Sequence, residues 1–326
     1  MGGFLHLLRR HQPDETFSSI ATRDDVTYCY RLLLGRQPDP EGWRYYNDLI
    51  DKGDLTVERL VASFTDSREY RTRRTKEHEA VAVALDGFSL YVRQDDKEVG
   101  ARLAEAGQYE PHVTAELKPL LRDDTVFADV GANIGYFTIL AASLTRTGKV
   151  IAFEPNRDNC ALIRMSLGAN GLHNVTLHPF AVSDAEAEFA LDVSGSNGAL
   201  REPSSADDLI VRSVVFDECV SEESRVDIIK MDIEGFEGRA LRGMTQTIAR
   251  HRPVLFSELS PSDLVRRSRM PPHDYLMQIE QLGYDLFELP FVGRRSSTPR
   301  TPAEILDACS RAQASHIDIV AYPQRN

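Results

Sequence analysis

The chain has 326 residues, enough for one large domain and one small one. Hydrophobic residues account for 42% and charged residues for 27% of it, proportions typical of a soluble globular protein. The net charge of −12 argues against a general nucleic-acid binder, and four widely spaced cysteines argue against a disulfide framework or a zinc site. The sequence shows no signal peptide and no apolar run of about 18 residues, so we expect a cytoplasmic protein without a membrane span.

The first part of the chain predicts a flexible arm followed by a small all-helical domain. Residues 1–20 lack hydrophobic periodicity, whereas residues 21–75 contain three helical patterns. Gly35 is suited to end the first helix, the pair Asp39-Pro40 to begin the second, and Thr56 to begin the third. Three aromatic residues of this domain predict either a small core, which we favour, or a carbohydrate-stacking face: Trp43, Tyr45 and Tyr46.

A strand, a glycine turn and a helix follow one another in residues 126–136, VFADVGANIGY. Gly131 permits a sharp turn, and Gly135 lets the helix begin close to the strand. Asn133 occupies the position where a dinucleotide-binding loop needs a glycine beside the pyrophosphate, and Asp129 would repel phosphates but attract an ammonium group. The turn therefore predicts a ligand with an amino-acid end and a nucleoside end, such as S-adenosylmethionine.

The next strands end in further acidic residues. The strand Val150–Phe153 is followed by Glu154, placed as an acceptor for ribose hydroxyls. The strand predicted over Val175–Val182 is followed by Asp184, either an acceptor for the adenine amino group or a turn residue. The Gly/Ser-rich segment Ser194–Asp208 predicts a loop suited to act as a substrate lid.

Two acids follow the fourth buried strand, Val226–Met231. Asp232 and Glu234 lie two residues apart, so both side chains can face one pocket if the backbone stays extended. We predict that one of them is the general base of the reaction, with a structural loop capping the next helix as the alternative. His178 or His273 could take this role if the fold brings it close.

The order of the elements predicts the α/β class, with a mostly parallel seven-stranded sheet and helices on both faces. Five strands alternate with helices, and two terminal strands, Tyr284–Leu289 and Ile317–Tyr322, follow without a clear helix between them. Ligands bind at the carboxyl edge of such sheets. There, Asp232 and Glu258 could supply oxygen ligands to Mg²⁺, although no His/Asp spacing marks a dedicated metal site.

Several of these motifs together resemble the FkbM family of S-adenosylmethionine-dependent methyltransferases. The matching segments are DVGANIGYFTILAA, VIAFEPN, NVTLHPFAVSD, IIKMDIEGFEGRALRGM and RPVLFSEL, with QYEP upstream. The resemblance implies a class I (Rossmann-like) methyltransferase domain over residues 76–326 and O-methylation of hydroxyls on sugars or polyketides. It also implies cofactor binding by the loop 129–135 and by Glu154. The run YRLLLGRQPDPEGWRYY…LVASFTDSREY resembles a small helical domain of unknown function.

Two classes of function fit these features. The first is an O-methyltransferase acting on a small-molecule or glycan acceptor. The second is a catalytically weak or inactive methyltransferase-fold protein that uses its helical domain for contacts with a protein partner. The intact cofactor loop favours the enzyme. Methyl transfer to nitrogen or to a protein also remains open, because the sequence does not specify the acceptor.

Overall fold

The chain divides into two compact units, residues 1–75 and 76–326. The computed structural model describes residues 20–78, 80–93, 96, 99–194, 196–221, 223, 225–312 and 314–324. The expected flexible arm lies outside the described residues, except for Ile20.

The first unit is built from helices that begin where the capping residues predict. Its helices are α1 (Arg23–Cys29), which continues as a π-helical turn to Leu34, α2 (Pro40–Asp51), α3 (Val57–Thr65) and the start of α4 (Arg68–His78). Side-chain oxygens of Thr22, Asp39 and Thr56 accept hydrogen bonds from backbone N–H groups at the starts of α1, α2 and α3. The turn after α1 ends at Gly35, whose φ of 67° is left-handed.

Aromatic side chains form most of the small core of this unit. Tyr30 packs edge-on against Phe64, with ring centroids 4.8 Å apart, and Tyr46 stacks on the same Phe64 ring at 5.2 Å. Trp43 also packs against this core, whereas Tyr45 is 60% exposed. Core packing therefore accounts for two of the three aromatic residues that the sequence left open.

The second unit contains the remaining elements. Before its main sheet lie the hairpin β1 (Ala80–Ala84) and β2 (Ser89–Arg93), then α5 (Gly100–Ala106), α6 (Pro111–Leu117) and a 3₁₀ turn (Lys118–Leu120). The later strands are β3 (Val126–Val130), β4 (Lys149–Phe153), β5 (Val175–His178), β6 (Ala181–Ser183), β7 (Glu188–Ser194), β8 (Asn197–Arg201), β9 (Ile210–Val215), β10 (Ile228–Met231), β11 (Val254–Leu259), β12 (Tyr284–Leu289) and β13 (Ile317–Pro323). The later helices are α7 (Tyr136–Leu144), α8 (Arg157–Asn170), α9 (Phe216–Cys219), α10 (Glu237–Arg242), α11 (Thr245–His251), α12 (Pro261–Ser268), α13 (Pro272–Gln281) and α14 (Pro302–Ala312).

Seven of these strands form one sheet in the order β12-β13-β11-β10-β3-β4-β5. Strand β13 runs antiparallel to both neighbours, and the other pairings are parallel. Met231 at the end of β10 is in register with Val130 and Ser257, so the carboxyl ends of the central strands meet at one edge. This strand order, with one strand antiparallel to its neighbours, is that of the class I methyltransferase fold, and the predicted fold class is confirmed.

Helices cover both faces of the sheet, as predicted. One face buries residues of α10 to α14 against β10 and β11, and the other buries residues of α5 to α8 against β3 and β4. These parallel strands are buried on both sides, which explains why they read as continuous apolar runs in the sequence.

Three sequence expectations about the connections are wrong. The strand predicted over Val175–Val182 splits, because Pro179 has no N–H to continue the ladder; β6 instead joins a second sheet, ordered β6-β9-β7-β8. The predicted loop Ser194–Asp208 contains β8, which pairs with β7 as a hairpin, and its Gly195 lies outside the described residues. The terminal strands β12 and β13 are separated by a helix, α14, that the sequence pattern did not reveal.

Candidate functional site

A cavity of about 670 Å³ lies at the carboxyl edge of the seven-stranded sheet. Its walls come from the loops after β3, β4, β10 and β11, from the segment between α5 and α6, and from the turn between β7 and β8. Open α/β sheets bind ligands at this edge, because the loops that follow parallel strands converge there. The cavity is large enough for a nucleoside-sized ligand together with an acceptor group.

One end of the cavity is organised around Glu154, which follows β4. Its two carboxylate oxygens accept hydrogen bonds from the backbone N–H groups of Asn133 at 2.7 Å and of Asn156 at 2.8 Å. Burial raises the pKa of Glu154 to about 8, against the opposing effect of these hydrogen bonds. The carboxylate thus ties the glycine turn to the tip of β4 and keeps further lone pairs for a ligand's hydroxyl groups.

Buried polar atoms without partners lie near this carboxylate. The Asn159 amide donates to the Ser196 carbonyl oxygen at 2.8 Å, but Asn159 Oδ1 and Ser196 Oγ have no hydrogen-bond partner among the described residues. Both residues are 1% exposed. Unsatisfied buried polar groups are costly, so a polar ligand that reaches them would gain binding free energy. The hydroxyl and amino groups of an adenosine could supply such partners.

The glycine turn packs directly against the loop after β10. Gly131 has a φ of 88°, and a Cβ atom there would lie 1.9 Å from the Asp232 carbonyl oxygen. Only glycine can occupy this position without moving the backbone. The close approach brings the loop after β3 and the loop after β10 to one cavity.

Left-handed backbone is concentrated around the cavity. Three non-glycine residues that line it have positive φ values: Glu110 at 43°, Asn133 at 51° and Glu234 at 54°. This conformation is strained for side-chain-bearing residues and clusters at functional sites. The strain is an independent indication that the cavity, and not only the fold, is under functional constraint.

The other end of the cavity is organised around Lys230, near the end of β10. Its side chain is 5% exposed, and Nζ lies 2.8 Å from Asp232 Oδ2 and 3.8 Å from Glu110 Oε2. The ammonium group also lies 4.6 Å from the centre of the Phe137 ring. Burial acts to lower the pKa of Lys230, but Asp232, Glu110 and Asp129 together raise it well above its usual value.

More acid surrounds this lysine than it can neutralise. Burial raises the pKa of Glu110 to about 8, with Lys230 opposing the shift, and no described residue hydrogen-bonds to Glu110 Oε2. The pKa of Glu258 is raised well above its usual value, first by burial and then by the charge of Asp232. This end of the cavity therefore favours a cationic ligand group, because a positive charge would stabilise the ionised acids.

A buried glutamate at the start of α10, Glu237, holds the loop after β10 by accepting hydrogen bonds from its backbone. Glu237 Oε1 accepts hydrogen bonds from the N–H groups of Ile233 at 2.9 Å and Gly235 at 3.3 Å, whereas Oε2 has no hydrogen-bond partner in the described part of the chain. Burial raises the pKa of Glu237 to about 7. The residue fixes the backbone that carries Asp232 and Glu234 into the cavity.

Two histidines also line the cavity, beside the start of β13. His112 Nε2 lies 2.6 Å from Asp318 Oδ2, and both side chains are about one-tenth exposed. The His112 ring packs edge-on against Phe291, with centroids 4.8 Å apart. His316 contacts the same Phe291 ring at 5.5 Å, so one aromatic side chain holds both imidazoles.

Five of the eight predicted site residues line the cavity: Gly131, Asn133, Glu154, Asp232 and Glu234. Among the described residues, Asp129 is not part of the lining, since it is fully buried and accepts a hydrogen bond from Thr138 Oγ1 at 2.6 Å. Gly135 also lies behind the lining, where a Cβ atom would be 2.8 Å from Ile163. Its role is close packing of helix α7 on helix α8, not on the strand as the sequence analysis expected.

Asp184 lies away from the cavity. It follows β6 in the second sheet instead of a strand of the main sheet, and its Oδ2 accepts hydrogen bonds from Arg242 Nη2 at 2.8 Å and Nε at 3.0 Å. Although burial acts to raise the pKa of Asp184, these hydrogen bonds hold it below its usual value. The structure therefore gives no support to the predicted contact with adenine. Asp184 lies away from the cavity because the strand breaks at Pro179 and β6 joins the second sheet.

The histidines suggested by the sequence are not at the site either. His178 stacks on Phe153 at 4.8 Å, and His273 is an exposed residue of α13. Sequence reasoning missed His112, Lys230 and His316. The only available signal for His112 was its position directly after the QYEP segment.

The cavity fits S-adenosylmethionine. Glu154, Asn133 and the unpartnered Ser196 hydroxyl suit the nucleoside end of this cofactor, and the acids around Lys230 suit its positive charge. Within the described ranges, no group of three or more His, Cys, Asp or Glu side chains is arranged to hold a metal ion. The suggested Mg²⁺ ligand Asp232 binds Lys230 instead. In the described part of the chain, no helix is long and apolar enough to cross a membrane.

Two segments of the chain match known protein families. Residues 129–286 match the family described as the methyltransferase FkbM domain, and residues 13–74 match DUF4214, a domain of unknown function. The chain is 29% identical over 129 residues to the hexuronic acid methyltransferase AglP of Haloferax volcanii. That alignment covers 39% of this chain and 52% of the relative, so the chain matches about half the length of the relative.

Solved structures of methyltransferases are also similar, at low identity. The methyltransferase FkbM of Methylobacillus flagellatus is 16% identical with a TM-score of 0.40, over 90% of this chain and 58% of that chain. M. jannaschii TYW2, solved in complex with AdoMet, is 13% identical with a TM-score of 0.41, over 76% and 87%. The assignment of the fold rests on the strand order itself. This strand order and the match over residues 129–286 agree: the larger unit has the class I methyltransferase fold, and about half of the chain matches the FkbM methyltransferase family.

Proposed function

We propose that this protein is an S-adenosylmethionine-dependent methyltransferase that methylates a hydroxyl group of an uncharged sugar, glycan or glycosylated metabolite. The observation that carries the proposal is the division of one cavity into two chemically different ends. Glu154 and its neighbours supply hydrogen bonds for a nucleoside, whereas Lys230 lies among acids suited to a sulfonium group.

The charges at the end of the cavity around Lys230 support an uncharged acceptor. Glu110, Asp232, Glu234 and Glu258 all line the cavity, and Lys230 is the only lysine or arginine among the described lining residues. A carboxylate on the acceptor would add a further negative charge to this group, which costs free energy at short range. The similar protein from Haloferax volcanii is named for a hexuronic acid; we adopt the sugar from that likeness but not the acid.

This proposal keeps the acids after β10 in the cavity as an electrostatic device and gives up the general-base role that the sequence predicted for Asp232. Asp232 and Glu234 lie where the donor and the acceptor would meet, and they favour the cationic methyl donor over the neutral product. Methyl transfer from sulfur is an in-line displacement, so alignment of the two ligands supplies much of the rate acceleration. Asp232 is a poor candidate for the general base, because its carboxylate is already paired with Lys230 at 2.8 Å.

The test separates binding from turnover. The purified protein is first titrated with S-adenosylmethionine by calorimetry, and then incubated with the methyl-labelled cofactor and a panel of methyl glycosides and sugar nucleotides. A matched panel of the corresponding uronic acids provides the control for charge. We expect cofactor binding and a mass gain of one methyl group on neutral sugars. Binding without transfer to any acceptor would favour the alternative of a methyltransferase-fold binding protein, and preferential transfer to the uronic acids would contradict the charge argument.

A further inference from the structure

The pair formed by His112 and Asp318 has the geometry of an oriented base. The carboxylate accepts, so at the 2.6 Å contact the hydrogen lies on His112 Nε2 in the neutral ring. Nδ1 then carries the free lone pair. Within the described residues, Nδ1 makes no hydrogen bond, and His112 lines the cavity.

Three different elements fix this imidazole in place. His112 is the second residue of α6, which begins at Pro111 directly after the left-handed Glu110. Asp318 is in β13, opposite Glu258 of β11 in the antiparallel ladder. Phe291 packs against the ring from the segment after β12. A side chain that is held from three directions loses little conformational entropy when it acts on a ligand.

Three of the four acids at this end of the cavity are less suited to remove a proton, and the fourth, Glu234, remains the competing candidate from the sequence. Asp232 is paired with Lys230, and Glu258 lies close to His316, with 4.0 Å between Oε2 and Nε2. Glu110 is also within 3.8 Å of the lysine. A neutral imidazole has no such counter-ion on its free nitrogen, and its protonated form would gain the Asp318 carboxylate as a partner.

We propose that His112 is the general base for the acceptor hydroxyl, and that Asp318 is a positioning residue that fixes its tautomer. This inference rests on the proposed function. The acceptor O–H gives its proton to Nδ1 while the oxygen forms a bond to the methyl carbon. The carbon–sulfur bond of the donor breaks at the same time, and its electron pair stays on sulfur. The imidazolium formed is balanced by Asp318 and later loses its proton to water.

The first test compares hydroxyl and thiol acceptors, since a thiol ionises in water near neutral pH and needs a base less. His112→Gln keeps a donor for Asp318 but has no basic nitrogen. We expect its kcat on a methyl glycoside to fall about 10²–10⁴-fold, with KM and cofactor affinity within about threefold of wild type. Transfer to the same glycoside carrying a thiol in place of the hydroxyl should persist. Asp318→Asn should reduce kcat on the hydroxyl acceptor by a smaller factor. His273→Gln, at an exposed position of α13, should leave kcat unchanged.

The second test requires no acceptor. Ring ¹⁵N chemical shifts of labelled histidine, measured with S-adenosylhomocysteine bound, distinguish the two neutral tautomers. We expect the proton of His112 on Nε2, and a change toward a mixture in Asp318→Asn. A pH–rate profile alone would be ambiguous, because Glu110 and Glu258 line the same cavity and burial raises the pKa of both, that of Glu110 to about 8.

Each outcome decides between supporting and rejecting the proposal. Wild-type rates on hydroxyls in a folded His112→Gln protein would overturn it. Equal losses on hydroxyl and thiol acceptors would indicate a structural role and also overturn it. If the wild type transfers to no acceptor, the proposed function fails, and the tautomer measurement still decides on His112: a proton on Nδ1 would overturn the assignment, whereas a bare Nδ1 would support it.

Discussion

The two ends of the cavity are built on opposite principles. At the nucleoside end, Glu154 accepts two backbone hydrogen bonds of 2.8 Å or less. The donors, Asn133 and Asn156, belong to the same βαβ unit as Glu154. At the reaction end, the acids around Lys230 exceed it in number, and one of them, Glu110, has an oxygen that no described residue hydrogen-bonds. The first end is held by directional bonds, and the second by the balance of buried charges.

The two ends therefore differ in how they respond to a ligand: the first is rigid, and the second changes its protonation. Hydrogen-bonded backbone keeps its geometry whether or not a cofactor is present. Buried acids with raised pKa values change their protonation when a cation arrives. We therefore expect substitutions at the nucleoside end to change affinity, and substitutions at the reaction end to change stability and pH dependence as well.

The largest expected effect comes from removing the charge of Lys230. Lys230→Met leaves Asp232, Glu110 and Asp129 without their buried counter-ion, and breaking a buried ion pair in this way costs about 3–5 kcal/mol. The matched control is Lys118→Met, because the pair of Lys118 with Asp86 is exposed and worth about 0–1 kcal/mol. Chemical denaturation measures both. If the two variants unfold with similar free energies, the charge balance does not hold this end together.

At the nucleoside end we expect a loss of affinity instead. Glu154→Ala removes charge-assisted hydrogen bonds worth about 1.5–3 kcal/mol, which corresponds to roughly tenfold to hundredfold weaker binding of S-adenosylmethionine. Asp184→Asn is the control, since Asp184 lies outside the cavity and binds Arg242. Calorimetry on both folded variants tests the assignment. Unchanged affinity in Glu154→Ala would reject the nucleoside site, and an equal loss in Asp184→Asn would show that the cavity is wrongly bounded.

The same contrast explains how much could be predicted from the sequence. The nucleoside end follows from local patterns, because Gly131, Asn133 and Glu154 belong to one βαβ unit whose spacing is fixed by the fold. The seven-stranded sheet was predictable for a similar reason, since its buried strands are continuous apolar runs. Errors arose where one residue redirected the chain, as Pro179 does by ending β5 and thereby moving Asp184 to the second sheet.

The reaction end could not be predicted in the same way. His112 and Asp318 are 206 positions apart in sequence, and only the antiparallel insertion of β13 beside β11 brings them together. Lys230 reads as an interruption of an apolar strand, and its role becomes apparent only when the surrounding acids are located. Charge balance is a property of the assembled site, and no spacing in the chain encodes it.

A third, smaller effect concerns the glutamate below the loop after β10. The pKa of Glu237 is about 7 when folded, against 4.5 for an ordinary glutamate, so the folded protein holds a proton that the unfolded chain releases. Stability from this group is complete below pH 4.5 and is lost as the pH rises to about 7. Glu237→Gln mimics the protonated form, keeps an acceptor for Ile233 and Gly235, and does not titrate.

We expect Glu237→Gln to gain stability relative to wild type by about 1–2 kcal/mol between pH 5 and pH 7, since one pKa unit corresponds to about 1.4 kcal/mol. Urea denaturation at several pH values measures this difference. Glu186→Gln, which makes the same substitution at an exposed position, provides the control. A constant difference for Glu237→Gln would mean that this residue is ionised in the folded protein.

The smallest expected effect discriminates between the two ends directly. Glu110 and Glu154 both have pKa values of about 8 through burial, so ligands that favour their ionised forms bind more tightly as the pH rises toward 8. In the proposed binding mode, ribose hydroxyls would contact Glu154 in S-adenosylmethionine and in S-adenosylhomocysteine alike. Only the first ligand carries a sulfonium charge, which would act on Glu110 and the other acids beside Lys230. The affinity for S-adenosylmethionine should therefore rise more steeply with pH than the affinity for S-adenosylhomocysteine, by up to about tenfold per pH unit for one additional proton released.

Calorimetry in two buffers of different ionisation enthalpy counts those protons, and Glu110→Gln should reduce the difference between the ligands. Identical pH profiles for the two ligands would show that the acids around Lys230 do not sense the methyl donor's charge.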